Sequence, residues 1–159
     1  MRSTQSTYDT DVVAWAREQA QLLRAGRFDA IDIEHIAEEI EDVGKSEQRE
    51  LANRMAVLLT HLLKWAIQPE RRGSNWEATI RDQRSRIERR ITRTPSLKHS
   101  LADPDWWSDA WGDARLETSR ETGIGFDRLP ADCPWTSDQV RDPDFWPTQP
   151  APPERPPAA

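Results

Sequence analysis

S-E-Q-R-E-L-A-N-R-M-A-V-L-L-T-H-L-L-K-W-A-I-Q, residues 46–68, is the stretch that decides the fold. Leu51, Met55, Leu58, Leu59, Leu62, Leu63, Trp65 and Ala66 recur in it at helical spacings. Together they cover an arc too broad to be buried against one neighbour. A helix of this kind belongs at the centre of a bundle, and the chain on either side must supply the helices that surround it.

Upstream, Asp9, Thr10 and Asp11 offer short side-chain oxygens that cap a helix start, and Gly26 offers a left-handed stop. Val12, Trp15, Ala16, Gln19, Leu22 and Leu23 trace the expected buried stripe of this first helix. A second helix is expected over 32–43, with Ile33, Ile36, Ala37, Ile40 and Val43 on one face and Gly44 as its end. Downstream, Ser74 followed by Glu77 reads as a capping box for a fourth helix. Its stripe is Trp76, Ile80, Gln83, Ile87 and Ile91, and Pro95 ends it at Thr94. Asp103 and Pro104 then start a fifth helix, which carries Trp107, Ala110, Trp111 and Ala114 inward and stops at Gly123.

No segment alternates with period two, so no sheet is expected. The expected architecture is all-α: a compact bundle of about five helices with a central third helix and a turn-rich C-terminal tail. In that tail Thr136 to Val140 reads as one short capped helix, and Trp135, Phe145 and Trp146 are placed to clip the tail on. Residues 8–147 read as a single helical domain, with disorder expected at 1–7 and in the proline-rich 148–159.

The runs D-I-E-H-I-A-E-E-I-E-D-V-G (32–44), H-L-L-K-W (61–65), Q-P-E-R-R (68–72), W-E-A-T-I (76–80) and P-S-L (95–97) occur in one order. Through them the chain resembles, from about Tyr8 to Pro147, the bacterial family known as domain of unknown function 29. The resemblance implies an all-helical fold and transfers no activity, cofactor or catalytic residue.

Charge narrows the functional classes. The 159 residues carry a formal charge of -6, which disfavours a general nucleic-acid binder unless the basic groups share one face. They are in fact segregated. Residues 29–50 hold nine acids against Lys45 and Arg49, whereas residues 70–94 hold eight arginines against four acids. The single cysteine, Cys133, suits a reducing compartment, and the sequence contains no long apolar run or secretory leader, so a cytoplasmic protein without membrane contact is expected.

Three constellations merit attention. Asp32, His35, Glu38 and Glu39, with His61 and Lys64 from the third helix, form a candidate polar cluster. No metal or other cofactor is expected, because the H-E-x-x-H pattern and repeated E-x-x-H pairs are missing; a metal, were one bound, would fall to His35, Glu39 and His61. The plainer reading pairs the glutamates with arginines, Glu39 for instance with Arg81 or Arg84.

Arg81, Arg84, Arg86, Arg89, Arg90 and Arg93 form a candidate basic face, able to lie on phosphates or simply to pair with Glu77, Asp82 and Glu88. Eight tryptophans mostly occupy core spacings, though Trp106 and Trp107 cannot both face inward. Familiar nucleophile and nucleotide-binding motifs are absent. The favoured function is a non-enzymatic helical protein-interaction module, regulatory in character, with another protein as partner. The alternatives are a small metal-dependent or acid/base enzyme using Glu38, Glu39 and His61, and a nucleic-acid contact through the fourth helix. The sequence leaves the oligomeric state open.

Overall fold

The computed structural model describes residues 7–148. Among them are seven α-helices, α1 (Thr7–Thr10), α2 (Val12–Arg24), α3 (Ile33–Ile67), α4 (Ser74–Arg93), α5 (Lys98–Ala102), α6 (Pro104–Thr122) and α7 (Ser137–Arg141), joined by three short 3-10 turns. The described residues contain no strand, and the fold is all-α. The disorder expected at both ends falls, but for Thr7 and Thr148, outside the described residues.

Two compact units, Met1–Ser46 and Glu47–Ala159, divide the chain inside α3. The N-terminal unit is a helical hairpin. Asp11 caps α2 by accepting from the Ala14 N–H (3.0 Å), and Gly26, at φ 70°, turns the chain out of it. Asp32 opens α3 as its side chain accepts from the His35 N–H (3.4 Å). Trp15 and Gln19 are the buried side chains of α2; Val12 and Leu23, expected to join them, are exposed.

The break expected at Gly44 does not occur. Gly44 is absent from the glycines with positive φ, and α3 runs through it for 35 residues. A glycine ends a helix only by adopting the left-handed conformation; inside one it merely costs about 1 kcal/mol relative to alanine. Here no proline follows it, and Lys45, Glu47 and Gln48 sustain the helix.

The C-terminal unit is built around the second half of α3. Leu51, Met55, Leu58, Leu59, Leu62 and Leu63 are all fully buried, packed with Ile80 and Ile87 of α4 and Ala114 of α6. Each such aliphatic side chain removed from water contributes roughly 1.5–3 kcal/mol. α6 begins as the sequence indicates, with Asp103 accepting from the Asp105 N–H (2.9 Å) and Pro104 at the first position, and ends at Gly123 with φ 75°.

α4 differs from expectation at its start: Gly73 is the N-cap, no side chain caps it, and Glu77 pairs with Arg81 instead (3.0 Å). The reciprocal box forms at α7, where Thr136 and Gln139 satisfy each other's backbone donors.

The tail is held by aromatic and guanidinium contacts. Trp146 lies 4.7 Å from Trp65, and Trp135 packs edge-on against both Trp111 and Phe145. Arg84 is buried and donates to the carbonyls of Val140 (2.8 Å), Pro143 (3.4 Å) and Phe145 (2.6 Å). Burial lowers its pKa, and three backbone acceptors compensate the buried charge. Arg84 therefore ties the tail down and does not belong to an exposed basic face. Trp106 and Trp107 both pack partly buried against the core, with the Trp106 indole donating to the Gln48 carbonyl (3.3 Å), so neither projects freely.

Candidate functional site

The hairpin gathers the first part of the predicted polar cluster. Asp32, His35 and Glu39 share the face of α3 that meets α1 and α2. Asp32 accepts from the Trp15 indole (3.0 Å) and pairs with His35 Nδ1 (2.6 Å), while its own N–H donates to the Gln19 side chain (2.7 Å). Tyr8 stacks on His35 at 4.0 Å between centroids and donates its hydroxyl to Glu39 (2.7 Å).

Pairing raises the His35 pKa and lowers that of Asp32, and the Glu39 hydrogen bond helps push the Tyr8 phenol up to about 12. Glu39 is thus bound to a tyrosine of its own unit. Sequence reasoning missed Tyr8, Trp15 and Gln19 as partners of the cluster. The signal available was Gln19, a polar residue one turn beyond Trp15 in an otherwise apolar stripe.

The same contacts show that α2 and α3 run antiparallel, since Asp32 meets Trp15 and Gln19 while Glu39, further along α3, meets Tyr8. At 100° per residue the uncovered apolar positions lie roughly 60° beyond the packed ones on α2 and roughly 130° beyond them on α3. For α2 these are Val12, Ala16 and Leu23; for α3 they are Ile33, Ala37 and Ile40. Because the helices run in opposite senses, both rotations open on the same side of the hairpin.

On α3 the result is an apolar ridge of Ile33, Ile40 and Val43, with Phe28 exposed in the preceding turn. Phe28 is 65% exposed, Ile33 64%, and Ile40 and Val43 67% each. Of the ten large hydrophobic side chains exposed among the described residues, seven belong to this unit. Its stripe, expected to be buried, is therefore largely uncovered. Glu34, Glu38, Glu41 and Asp42 flank or back it on α3, and none has an ion-pair partner among the described residues. Residues 7–46 carry ten acids against four basic groups.

His61 and Lys64 belong to the C-terminal unit, and each is engaged there. His61 Nδ1 bonds the Val57 carbonyl (2.9 Å), and burial lowers its pKa, which leaves the ring neutral near pH 7. Lys64 is buried, lies 5.0 Å over the Trp76 ring and pairs with Glu121, whose carboxyl it holds below the usual range. A cleft of about 400 Å³ between α3 and α6 is lined by Val57, Thr60, His61, Asp113, Glu117 and Glu121. Among the described residues no three His, Cys, Asp or Glu side chains are grouped to hold a metal ion.

The predicted basic face divides by role. Arg84 serves the tail, Arg81 pairs with Glu77 and lies over Trp146, and Arg86, Arg89, Arg90 and Arg93 line a second cleft. Cys133 is partly buried, which pushes its thiol up to about 11 and makes it a poor nucleophile.

Fold and surface together define a small all-α protein whose hairpin leaves an acid-flanked apolar face uncovered. The chain belongs to the family described as Domain of unknown function DUF29, which it matches over residues 7–146. No curated protein and no solved structure matches it significantly. No helix among the described residues is long and apolar enough to cross a membrane.

Proposed function

We propose that the protein is a non-enzymatic protein-binding module of regulatory character, acting in the bacterial cytoplasm, and that the open face of the hairpin is its docking surface. The observation that carries this reading is the exposure of Ile33, Ile40 and Val43 on a regular helix. Contiguous apolar surface rimmed by polar residues is what protein partners cover. A free thiol at Cys133 accords with the cytoplasmic setting.

Charge selects the occupant. The acidic groups beside the ridge lack counter-ions among the described residues, and a second copy of the hairpin would add its own excess of six negative charges against them. The complementary partner is an amphipathic helix with lysine or arginine beside an apolar stripe, laid along Ile33, Ile40 and Val43. The regulatory act is the masking of that helix.

The test uses a fluorescent 18-residue leucine/lysine amphipathic peptide and its leucine/glutamate counterpart, titrated with the full chain and followed by anisotropy. The basic peptide should bind with a Kd on the order of 10 µM, weaken with salt, and lose at least about tenfold on Ile33→Ser with Ile40→Ser. Equal binding of the acidic peptide, or a dimer of the chain that Ile40→Ser dissociates, would overturn the reading.

A further inference from the structure

The second cleft, wholly within the C-terminal unit, holds about 440 Å³ between α4 and the adjoining part of α3. Arg86, Arg89, Arg90 and Arg93 follow one another at the 0, 3, 4, 7 spacing of a single helical face, and Arg54 and Glu47 enter from α3. Five guanidiniums thus converge on one space.

They are not equivalent. Arg90 is braced by Glu47 (2.7 Å) and Glu50 (3.7 Å), Arg54 by Glu50 (3.1 Å), and Arg86 by Asp82 (2.7 Å). Arg89 and Arg93 have no acidic partner among the described residues, although like charges one helical turn apart repel each other. Five cations against three carboxylates leave a surplus of two, on side chains that fork toward planar or tetrahedral oxyanions. The braced arginines form a wall, and the two without an acidic partner supply donors free to meet a ligand.

We infer that this cleft is a binding site for a compact phosphate-bearing anion, with Arg89 and Arg93 as its principal ligands. The lining favours a small anion over a nucleic-acid track. It contains no aromatic side chain on which a base could stack, and residues 47–148 hold seventeen acids against sixteen basic groups, so a long polyanion would find no net positive charge beyond the cleft. Glu47 is the internal competitor: its carboxylate holds Arg90 in the geometry a phosphate oxygen would otherwise take.

The experiment is calorimetric titration of the full chain with inorganic triphosphate, with orthophosphate and with a twelve-nucleotide oligothymidylate, near physiological ionic strength. Triphosphate should bind once per chain and more tightly than the other two. Arg89→Gln with Arg93→Gln should weaken it at least about tenfold, while Arg120→Gln, an exposed control paired with Glu117, leaves it unchanged. Glu47→Gln should strengthen it several-fold by releasing Arg90. Both altered arginines are exposed, and an unchanged circular dichroism spectrum confirms folding. The inference is overturned by absent triphosphate binding, by binding that survives the double substitution, or by oligothymidylate binding more tightly than triphosphate.

Discussion

Ile40 and Leu59 lie on the same helix, both aliphatic and both at positions that a helical wheel assigns to an apolar stripe, yet Leu59 has no exposed surface and Ile40 keeps two-thirds of its own. The contrast extends to the units that contain them. The C-terminal bundle closes a core of leucines, isoleucines and tryptophans on all sides. The N-terminal hairpin is joined by hydrogen bonds and stacked rings among Tyr8, Trp15, Gln19, Asp32, His35 and Glu39, and turns its aliphatic side chains outward. Apolar periodicity records that a face is meant to be covered; it does not record by what.

Truncation should expose this difference most strongly. Leu59→Ala removes buried methyl groups and leaves a void, so it should cost about 2–5 kcal/mol in denaturant unfolding. Ile40→Ser should change stability by less than about 1 kcal/mol, because its side chain is largely in water already. Comparable losses at both positions would mean that Ile40 is buried in solution and that the contrast is false.

The two glycines of the hairpin sharpen the same point at smaller scale. Gly44 is helical and a Cβ there would meet nothing, so Gly44→Ala should stabilise by about 1 kcal/mol. Gly26 holds φ 70°, and Gly26→Ala should destabilise by a similar amount, roughly 1 kcal/mol, from backbone strain alone. Thermal unfolding distinguishes the two signs.

The smallest effect comes from the two histidines, whose pH dependences have opposite signs. Asp32 raises the His35 pKa above its ordinary 6.5, so the stability it contributes is fully present below 6.5 and is lost as pH rises through the raised value. Asp32, lowered from 3.8, contributes stability above 3.8 that disappears as pH falls through its lowered value. Their pair is accordingly strongest between those ordinary values. Burial lowers the His61 pKa, so its contribution is present above 6.5 and lost as pH falls through the lowered value. Amide exchange should therefore show His35→Gln loosening the hairpin more at pH 5.5 than at pH 8, whereas His61→Gln should relieve the bundle at low pH. The same pH trend for both would contradict the assigned environments.

Much of the fold was legible because caps and stops are local. Asp11, Gly26, Asp103 with Pro104, Gly123, and Thr136 with Gln139 each act through neighbouring backbone groups, and each appears where the sequence places it. Gly44 misled because one residue serves as stop or interior according to its φ, which neighbours alone do not set. Ser74 misled because Gly73 can occupy the cap itself.

At the candidate sites, the wheel placed Asp32, His35 and Glu39 together but not the Tyr8 and Trp15 that hold them, since those contacts depend on how the chain turns between residues 25 and 31. Arg84 read as surface charge because its three acceptors are carbonyls some sixty residues away in the tail. The uncovered ridge was legible as a stripe and illegible as a surface.

The most direct test of the docking claim is amide hydrogen exchange of the full chain with and without the basic leucine/lysine peptide. Protection should appear in residues 12–23 and 33–43 and leave residues 51–66 unchanged. Protection confined to the C-terminal unit, or none at a peptide concentration that saturates the anisotropy signal, would contradict the assignment of the hairpin face as the docking surface.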